Sequence, residues 1–306
     1  MCMYVVAFCV SAAVQPISIS HPQFTDEQRR LQEEDEPPEW SYFQGALMET
    51  PYGPVNWGES FPDCYGTMQS PINLSGAHEV QKVASLVAYE LTFHPTECTS
   101  SELHFSPGEH QWMVNFADCM DRSSLEFDGD HYQLLNVHIH SRSEHENGGS
   151  LHDAEIHMVH VKEGTTDDLL VVGIMLDAST YGLNSMLVDL WSVLGADLEE
   201  APLTDDWTIS PYGLLPAGPN YSHYMGSLTT PPCTEEQCTD AAFFPPRCRC
   251  VQGVRWVVMS DVTLIGTSQL DAFRTAMGQY RMTDVDGGTN RPVQPLNGRE
   301  VVFVSS

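Results

Sequence analysis

Positive charge is what this sequence has least of. Its 306 residues carry 42 Asp and Glu against 13 Lys and Arg, a formal net charge of −29, and Lys82 and Lys162 are its only lysines. A surface of that sign disfavours nucleic-acid phosphates and anionic bilayers, and it keeps a protein soluble in salt. Long apolar runs are missing too. After the opening residues no stretch stays apolar over the roughly 18 positions that a bilayer-crossing helix needs. Sustained helical periodicity is scarce, and no internal repeat appears. The hydrophobic content, 42%, is ordinary, and a chain of this length can bury a full core in one large domain.

The opening run Met1-Cys-Met-Tyr-Val-Val-Ala-Phe-Cys-Val-Ser-Ala-Ala-Val14 is short, apolar and closes in small residues. It reads as the hydrophobic part of a secretory leader, here without a basic start, so residues 1–20 are expected to be a targeting segment. Residues 21–39 contain Glu33-Glu-Asp-Glu-Pro-Pro and little hydrophobic pattern, the composition of a disordered acidic linker. From Trp40 to the end, 40–306, the composition is that of one folded domain. Beyond Cys2 and Cys9 there are Cys64, Cys98, Cys119, Cys233, Cys238, Cys248 and Cys250, an odd set for an exported chain. The positions of Cys98 and Cys119 at the ends of neighbouring short strands suggest that they pair. The run Cys233–Cys250 adds prolines and acids, and its spacings match no strong zinc motif, so local disulfides fit it better.

Short alternating runs recur at 86–93, 103–105, 111–116, 132–140, 155–161, 169–176 and 254–260, with turn residues between most of them. That pattern predicts a mainly β single domain with a large sheet. Leu169-Leu-Val-Val-Gly-Ile-Met-Leu176 is apolar on both faces, as a central covered strand is. Two helices are expected: 183–194, and a second that opens at an N-cap on Thr267 or Ser268 and buries Leu270, Phe273 and Met277.

The chemistry concentrates in Asn136-Val-His138-Ile-His140 and in Glu155-Ile-His157-Met-Val-His160. Alternation on strands puts His138 and His140 on one face, and a neighbouring strand can aim His157 at the same point. A lone histidine on an apolar strand is usually a satisfied core residue. Three that converge, with Glu155 and Asn136 on the same faces to accept the other ring N–H, make a zinc or other divalent site with one open position. Hydrolytic or hydration chemistry follows.

From Trp40 to Val304 the chain resembles an alpha-class carbonic anhydrase. The motifs that carry the resemblance, in order, are Trp40-Ser-Tyr42, Cys64 with Gln69-Ser-Pro-Ile72, His138-Ile-His140, Glu144-His145, Ala154-Glu155-Ile-His157-Met-Val-His160, Gly226-Ser-Leu228-Thr229-Thr230-Pro-Pro232 and Arg291-Pro-Val-Gln-Pro-Leu-Asn-Gly-Arg299. The resemblance implies a large twisted, mostly antiparallel central sheet with peripheral short helices and a zinc cleft. It implies reversible hydration of CO2 to bicarbonate and a proton by zinc hydroxide, with Zn2+ on His138, His140 and His157. Glu155 and Asn136 would orient those ligands, Asn136 standing where the family usually has the longer Gln. Thr229 would be the hydroxyl that accepts from the nucleophile, oriented by Glu144, with Thr230 beside it. Leu228, Val159, Leu169, Val171, Val254 and Trp256 would form the apolar CO2 pocket; some of them also fit ordinary sheet core. His110 would relay the proton outward, with Tyr42 in the water network near it, Met113 at a position often polar, and Trp112 adding bulk. Cys64 and Cys233 would form the disulfide of secreted members.

Departures from the family pattern are Ser141 where Trp is usual, Arg142 where a small residue is common, Thr289 for Asn, and the cysteine-rich insertion after Pro232. If position 289 acts through its backbone carbonyl on a metal histidine, its side-chain change should matter little. His145 and His160 are taken with the remaining histidines as structural or surface residues. A non-catalytic binding module of the same fold would be marked by loss of a zinc histidine, and all three are present. The expected location is outside the cell or in a lumen reached by the secretory route, periplasmic or plastid-associated in an alga. The expected partner is a small molecule, CO2 or bicarbonate, with neither nucleic acid nor a transmembrane segment.

Overall fold

The computed structural model describes residues 40–43, 53–75, 78–81, 89–107, 112–116, 118–119, 123–185, 187–188, 208–235, 237–239, 249–251, 253–278 and 288–305. The chain divides into Met1–Pro38 and Glu39–Ser306. The expected leader (1–20) and acidic linker (21–39) both lie outside the described residues.

The second unit is built on one 12-stranded sheet. Nine of its strands form a continuous path: β1 (His78–Gln81), β2 (His104–Pro107), β3 (Trp112–Asn115), β4 (Asp130–His140), β5 (Ala154–Lys162), β6 (Leu169–Ser179), β7 (Tyr221–Gly226), β8 (Val254–Met259) and β9 (Val302–Ser305). In space they run β1-β9-β7-β8-β6-β5-β4-β3-β2, with Leu91–His94, Ser124–Phe127 and Thr263–Gly266 paired off that path. β1 with β9 and β6 with β8 are parallel, and the other path neighbours are antiparallel. The sheet is therefore mixed and mainly antiparallel. β6 lies in its middle with Leu170 to Leu176 all buried, as a strand apolar on both faces must be.

Alternation decides what each face holds. On β5 and β6, Ala154, Ile156, Met158, Leu170, Val172 and Ile174 enter the larger core. Val159, Val171 and Met175 belong to a second apolar cluster on the other face, which Glu155 and His157 share by parity. β4 breaks its own alternation. Opposite β5, Leu134 pairs with His160 and Asn136 with Val159, so Leu135 is an extra residue. Tyr132 and Leu134 face the larger core before this bulge, Val137 and Ile139 after it. The shift of one residue sends Asn136, His138 and His140 to the opposite face. One bulge aims the histidines.

The helix expected near Thr267 spans Thr267–Met277 and buries Leu270, Phe273 and Met277. Its N-cap is Gly266, not Thr267 or Ser268. Gln269 reaches back instead, and its Oε1 accepts the N–H of Gly266 at 2.9 Å and of Asn184 at 3.0 Å. Most of the other expected helix, 183–194, lies outside the described residues. Trp112 also departs from expectation: β3 alternates, so Trp112 is buried in the larger core while Met113 pairs across to His138 on the other face.

Cys64 is bonded to Cys233 across 169 positions, and Cys98 to Cys119. Around the first bridge pack Trp40, Tyr42, Trp57 and Phe61. Glu235, two residues past that bridge, accepts the N–H groups of Thr67 at 3.1 Å and Met68 at 2.8 Å, and the Gln69 amide at 2.8 Å. Beyond it, Gln237–Thr239 pairs antiparallel with Arg249–Val251, and Cys238 stands opposite Cys250.

Candidate metal centre and active site

Register places His157 opposite His138, and Glu155 opposite His140. One ring nitrogen from each of His138, His140 and His157 lies within 4.8 Å of the others. The second nitrogen of each ring is already committed. His138 Nδ1 donates to Asn136 Oδ1 at 3.0 Å, His140 Nδ1 to the Thr289 carbonyl at 2.5 Å, and His157 Nε2 to Glu155 Oε1 at 3.0 Å. Those oxygens only accept, so the bonded nitrogens carry the hydrogens. The shorter Asn136 side chain spans its gap because it shares a strand face with His138 two residues on.

What remains are the lone pairs of His138 Nε2, His140 Nε2 and His157 Nδ1. Among the described residues His140 Nε2, which is buried, has no hydrogen-bond partner, a state that costs about 1–3 kcal/mol unless something binds there. Burial also keeps the rings neutral: it pushes His140 down to about 4 and lowers His138 and His157 as well. Three neutral, desolvated imidazoles on rigid strands, with their opposite nitrogens fixed by oxygen acceptors, fit a zinc ion of the catalytic kind.

Glu155 holds this arrangement from behind. Its Oε1 takes His157 Nε2 and His145 Nδ1 (2.7 Å), and its Oε2 takes the backbone N–H of Glu144 and of His145, both at 2.8 Å. Burial raises its pKa, but the charges and hydrogen bonds of His145 and His157 outweigh that and hold it well below the usual carboxylate range. Glu144 is buried beside it. Its Oε1 accepts the Arg291 N–H at 2.8 Å, and the Thr229 side chain is hydrogen-bonded to the same carboxyl. Its Oε2 has no hydrogen-bond partner among the described residues and lies 3.6 Å from His140 Nε2 and 3.9 Å from His157 Nδ1, facing the same space. Burial raises Glu144 to about 7, against the opposing pull of His157, the Arg291 N–H and the Thr229 hydroxyl.

The six residues expected to form an apolar wall come together. Val159, Val171, Val254 and Trp256 lie in the second buried cluster, and Leu169 and Leu228 pack against it. The Trp256 ring is 4.8 Å from His157, and its Nε1 donates to the Ser227 carbonyl at 3.0 Å, two residues before Thr229. Thr230 is part-buried, and its carbonyl accepts the Cys233 N–H at 2.8 Å. Tyr42 is buried with its ring 6.4 Å from His140, and its hydroxyl has no hydrogen-bond partner among the described residues. His110 lies outside the described residues.

Two residues matter more than the sequence reading allows. His145 is buried and joins Glu155 to the Tyr224 hydroxyl (2.7 Å), itself 2.9 Å from Ser70 Oγ. Its signal was the acid beside it in Glu144-His145. With Glu155 and His157 it also makes a compact donor group, but these side chains bond one another and so form a link. Arg291 is the other: fully buried, it donates to Gln69 Oε1 at 2.9 Å, Ser70 O at 2.8 Å and Cys64 O at 3.2 Å, and it lies over Trp57. Its motif marked the position without showing the burial.

Residues 52–238 match the family model of eukaryotic-type carbonic anhydrases. The chain belongs to that family. It is similar to a carbonic anhydrase of Nostoc sp., 30% identical over 254 residues that cover 82% of each chain. To alpha carbonic anhydrase 7 of Arabidopsis thaliana it is 31% identical over 257 residues, covering 81% of this chain and 80% of the relative. A solved hyperthermostable carbonic anhydrase identified from an active hydrothermal vent chimney superposes with a TM-score of 0.63 at 28% identity, covering 87% of this chain and all of that one. The protein is an alpha-class carbonic anhydrase enzyme, and its family and fold support CO2 hydration as the reaction.

Proposed function

We propose that this carbonic anhydrase hydrates CO2 reversibly to bicarbonate and a proton with Zn2+ held by His138 Nε2, His140 Nε2 and His157 Nδ1. The observation that carries the reading is the orientation of those three neutral rings, each with its far nitrogen bonded to an oxygen acceptor. Zinc bound there supplies a Lewis acid that makes hydroxide available near neutral pH, the behaviour for which carbonic anhydrase itself is the type case.

The chain's own residues do the rest. Thr229 gives its hydrogen to Glu144 and keeps a lone pair for the nucleophile's proton, which fixes where the nucleophile aims. Glu144 keeps that direction because its Oε1 is anchored by the Arg291 N–H. CO2 is apolar, so Val159, Leu169, Val171, Leu228, Val254 and Trp256 receive it by excluding water, while Thr230 lies beside Thr229 in the pocket. The proton leaves by way of His110, an imidazole being the side chain whose ordinary pKa lies nearest neutral, with Tyr42 near the path. The two disulfides suit an oxidising place outside the cytosol, whether extracellular, periplasmic or plastid-associated, and residues 1–20 would direct export. Among the described residues no helix is long and apolar enough to cross a membrane.

Stopped-flow CO2 hydration on the zinc-loaded protein tests this, with His140→Ala and Thr229→Ala alongside. His140→Ala should abolish hydration and zinc retention. Thr229→Ala should keep zinc and lose roughly 100-fold in kcat/KM. Wild-type protein that is loaded with zinc and hydrates CO2 no faster than buffer would end the proposal.

A further inference from the structure

Behind His140 lies a set of contacts that the proposed chemistry leaves unused. Ser141 follows the ligand directly. Its carbonyl accepts the Thr289 N–H at 2.6 Å, and its own N–H donates to Thr289 Oγ1 at 3.0 Å. Its hydroxyl accepts Arg274 Nε at 2.8 Å, while Arg274 Nη2 donates to the Asp153 carbonyl at 3.2 Å. The Thr289 carbonyl takes the His140 ring. Each polar group of Ser141 and Thr289 is thereby engaged, and both residues are fully buried. The premise set for position 289 is met, since its carbonyl takes the His140 ring; its hydroxyl in addition accepts the N–H of the residue after that histidine.

These contacts join three separate pieces of the site. Arg274 sits in the last turn of the helix Thr267–Met277. Through Ser141 it grips the end of β4, which carries His138 and His140. Through Asp153 it grips the residue before β5, which carries Glu155 and His157. Thr289 closes the bracket two residues before Arg291, whose N–H anchors Glu144.

We propose that Arg274, Ser141 and Thr289 are positioning residues for the metal, acting through His140. They fix the Thr289 carbonyl in the line of His140 Nδ1–H, so the ring keeps the tautomer and tilt that leave Nε2 directed at the ion. A carbonyl on an untethered loop would still accept a hydrogen bond but would not hold its angle. Loss of such orienting partners typically weakens metal binding 10–100-fold. The inference rests on the reading of His138, His140 and His157 as the zinc ligands.

The test is the zinc dissociation constant of the metal-free protein, measured by chelator competition, together with the visible absorption spectrum of the cobalt(II) form. Thr289→Val removes the hydroxyl at nearly constant shape, Arg274→Met removes the donor to Ser141, and Thr289→Ser restores the hydroxyl. The Val and Met variants should bind zinc about tenfold or more weakly and shift the cobalt bands. Thr289→Ser should return both toward wild type. Should Thr289→Val not fold, the Arg274→Met and Arg274→Lys pair decides, the Lys variant retaining tighter zinc than the Met. Folded Val and Met variants with wild-type affinity and spectrum would overturn the bracket. His140→Ala measured in parallel separates the two levels: unchanged zinc affinity there overturns the metal centre itself.

Discussion

Gly173 stands directly across the β5–β6 ladder from His157, and a Cβ at that position would lie 2.8 Å from Glu155 Oε1. Side-chain carbons do not approach that closely, so the Glu155 carboxylate occupies space that only glycine leaves open. The same oxygen orients both His157 and His145.

Gly173→Ala should therefore displace Glu155 and loosen His157 without touching any ligand. Zinc affinity and kcat/KM for CO2 are expected to fall by about 10–100-fold, with the fold retained by circular dichroism. Zinc affinity at the wild-type level would show that Glu155 can move aside at no cost to the site.

His160 sets a pH limit on stability. It faces away from His138, His140 and His157, buried between the Met158 carbonyl at 2.9 Å and the Tyr212 hydroxyl at 2.9 Å. Burial lowers its pKa from 6.5 to about 3. The unfolded chain takes up the proton first as pH falls, so the folded state is fully favoured above about 6.5 and loses ground from there down to about 3. The whole effect amounts to roughly 4–5 kcal/mol at most. Urea unfolding of wild type and His160→Gln between pH 7 and 5 measures it. Wild type should lose stability more steeply than the variant; parallel slopes would remove His160 as the cause.

The cysteine-rich hairpin yields a third expectation from its backbone alone. Residues directly opposite on antiparallel strands have Cα atoms about 4.5–5.5 Å apart, inside the range that a disulfide bridges. Cys238 and Cys250 hold such positions. Peptide mapping without reduction should find them linked to each other and Cys248 alkylated as a free thiol. A Cys238–Cys248 link, or three free thiols, would contradict this.

Much of the site can be read from the sequence because its signals are local. His-x-His, the paired Glu155 and His157, and the doubly apolar 169–176 run each depend on alternation within one strand. The helix Thr267–Met277 shows its stripe in the same way. What stays hidden depends on contacts far along the chain. Arg291 meets Gln69 across 222 positions, and His145 meets Tyr224 across 79. No local pattern marks either as buried. The bulge at Leu135 is hidden for another reason: Tyr132 to His140 reads as one alternating run, and only pairing with β5 shows where an extra residue enters. Trp112 illustrates the converse, since its side follows from β3 parity once the partner strand is known. The capping of Thr267–Met277 went to Gln269 because a longer amide could serve Gly266 and Asn184 at once.

The Glu235 carboxylate has a consequence for how this chain can be lengthened. By holding Thr67, Met68 and Gln69 beside the Cys64–Cys233 bridge, it fastens the chain just past the loop that carries Thr229. The hairpin of Gln237–Thr239 and Arg249–Val251 follows, and β8 begins at Val254. The bridge and the carboxylate therefore lie between Thr229 and that hairpin along the chain, so a pull on the hairpin meets them before it meets the site. A tether, a label or a second module joined to the chain past Glu235 is therefore expected to leave kcat/KM for CO2 unchanged.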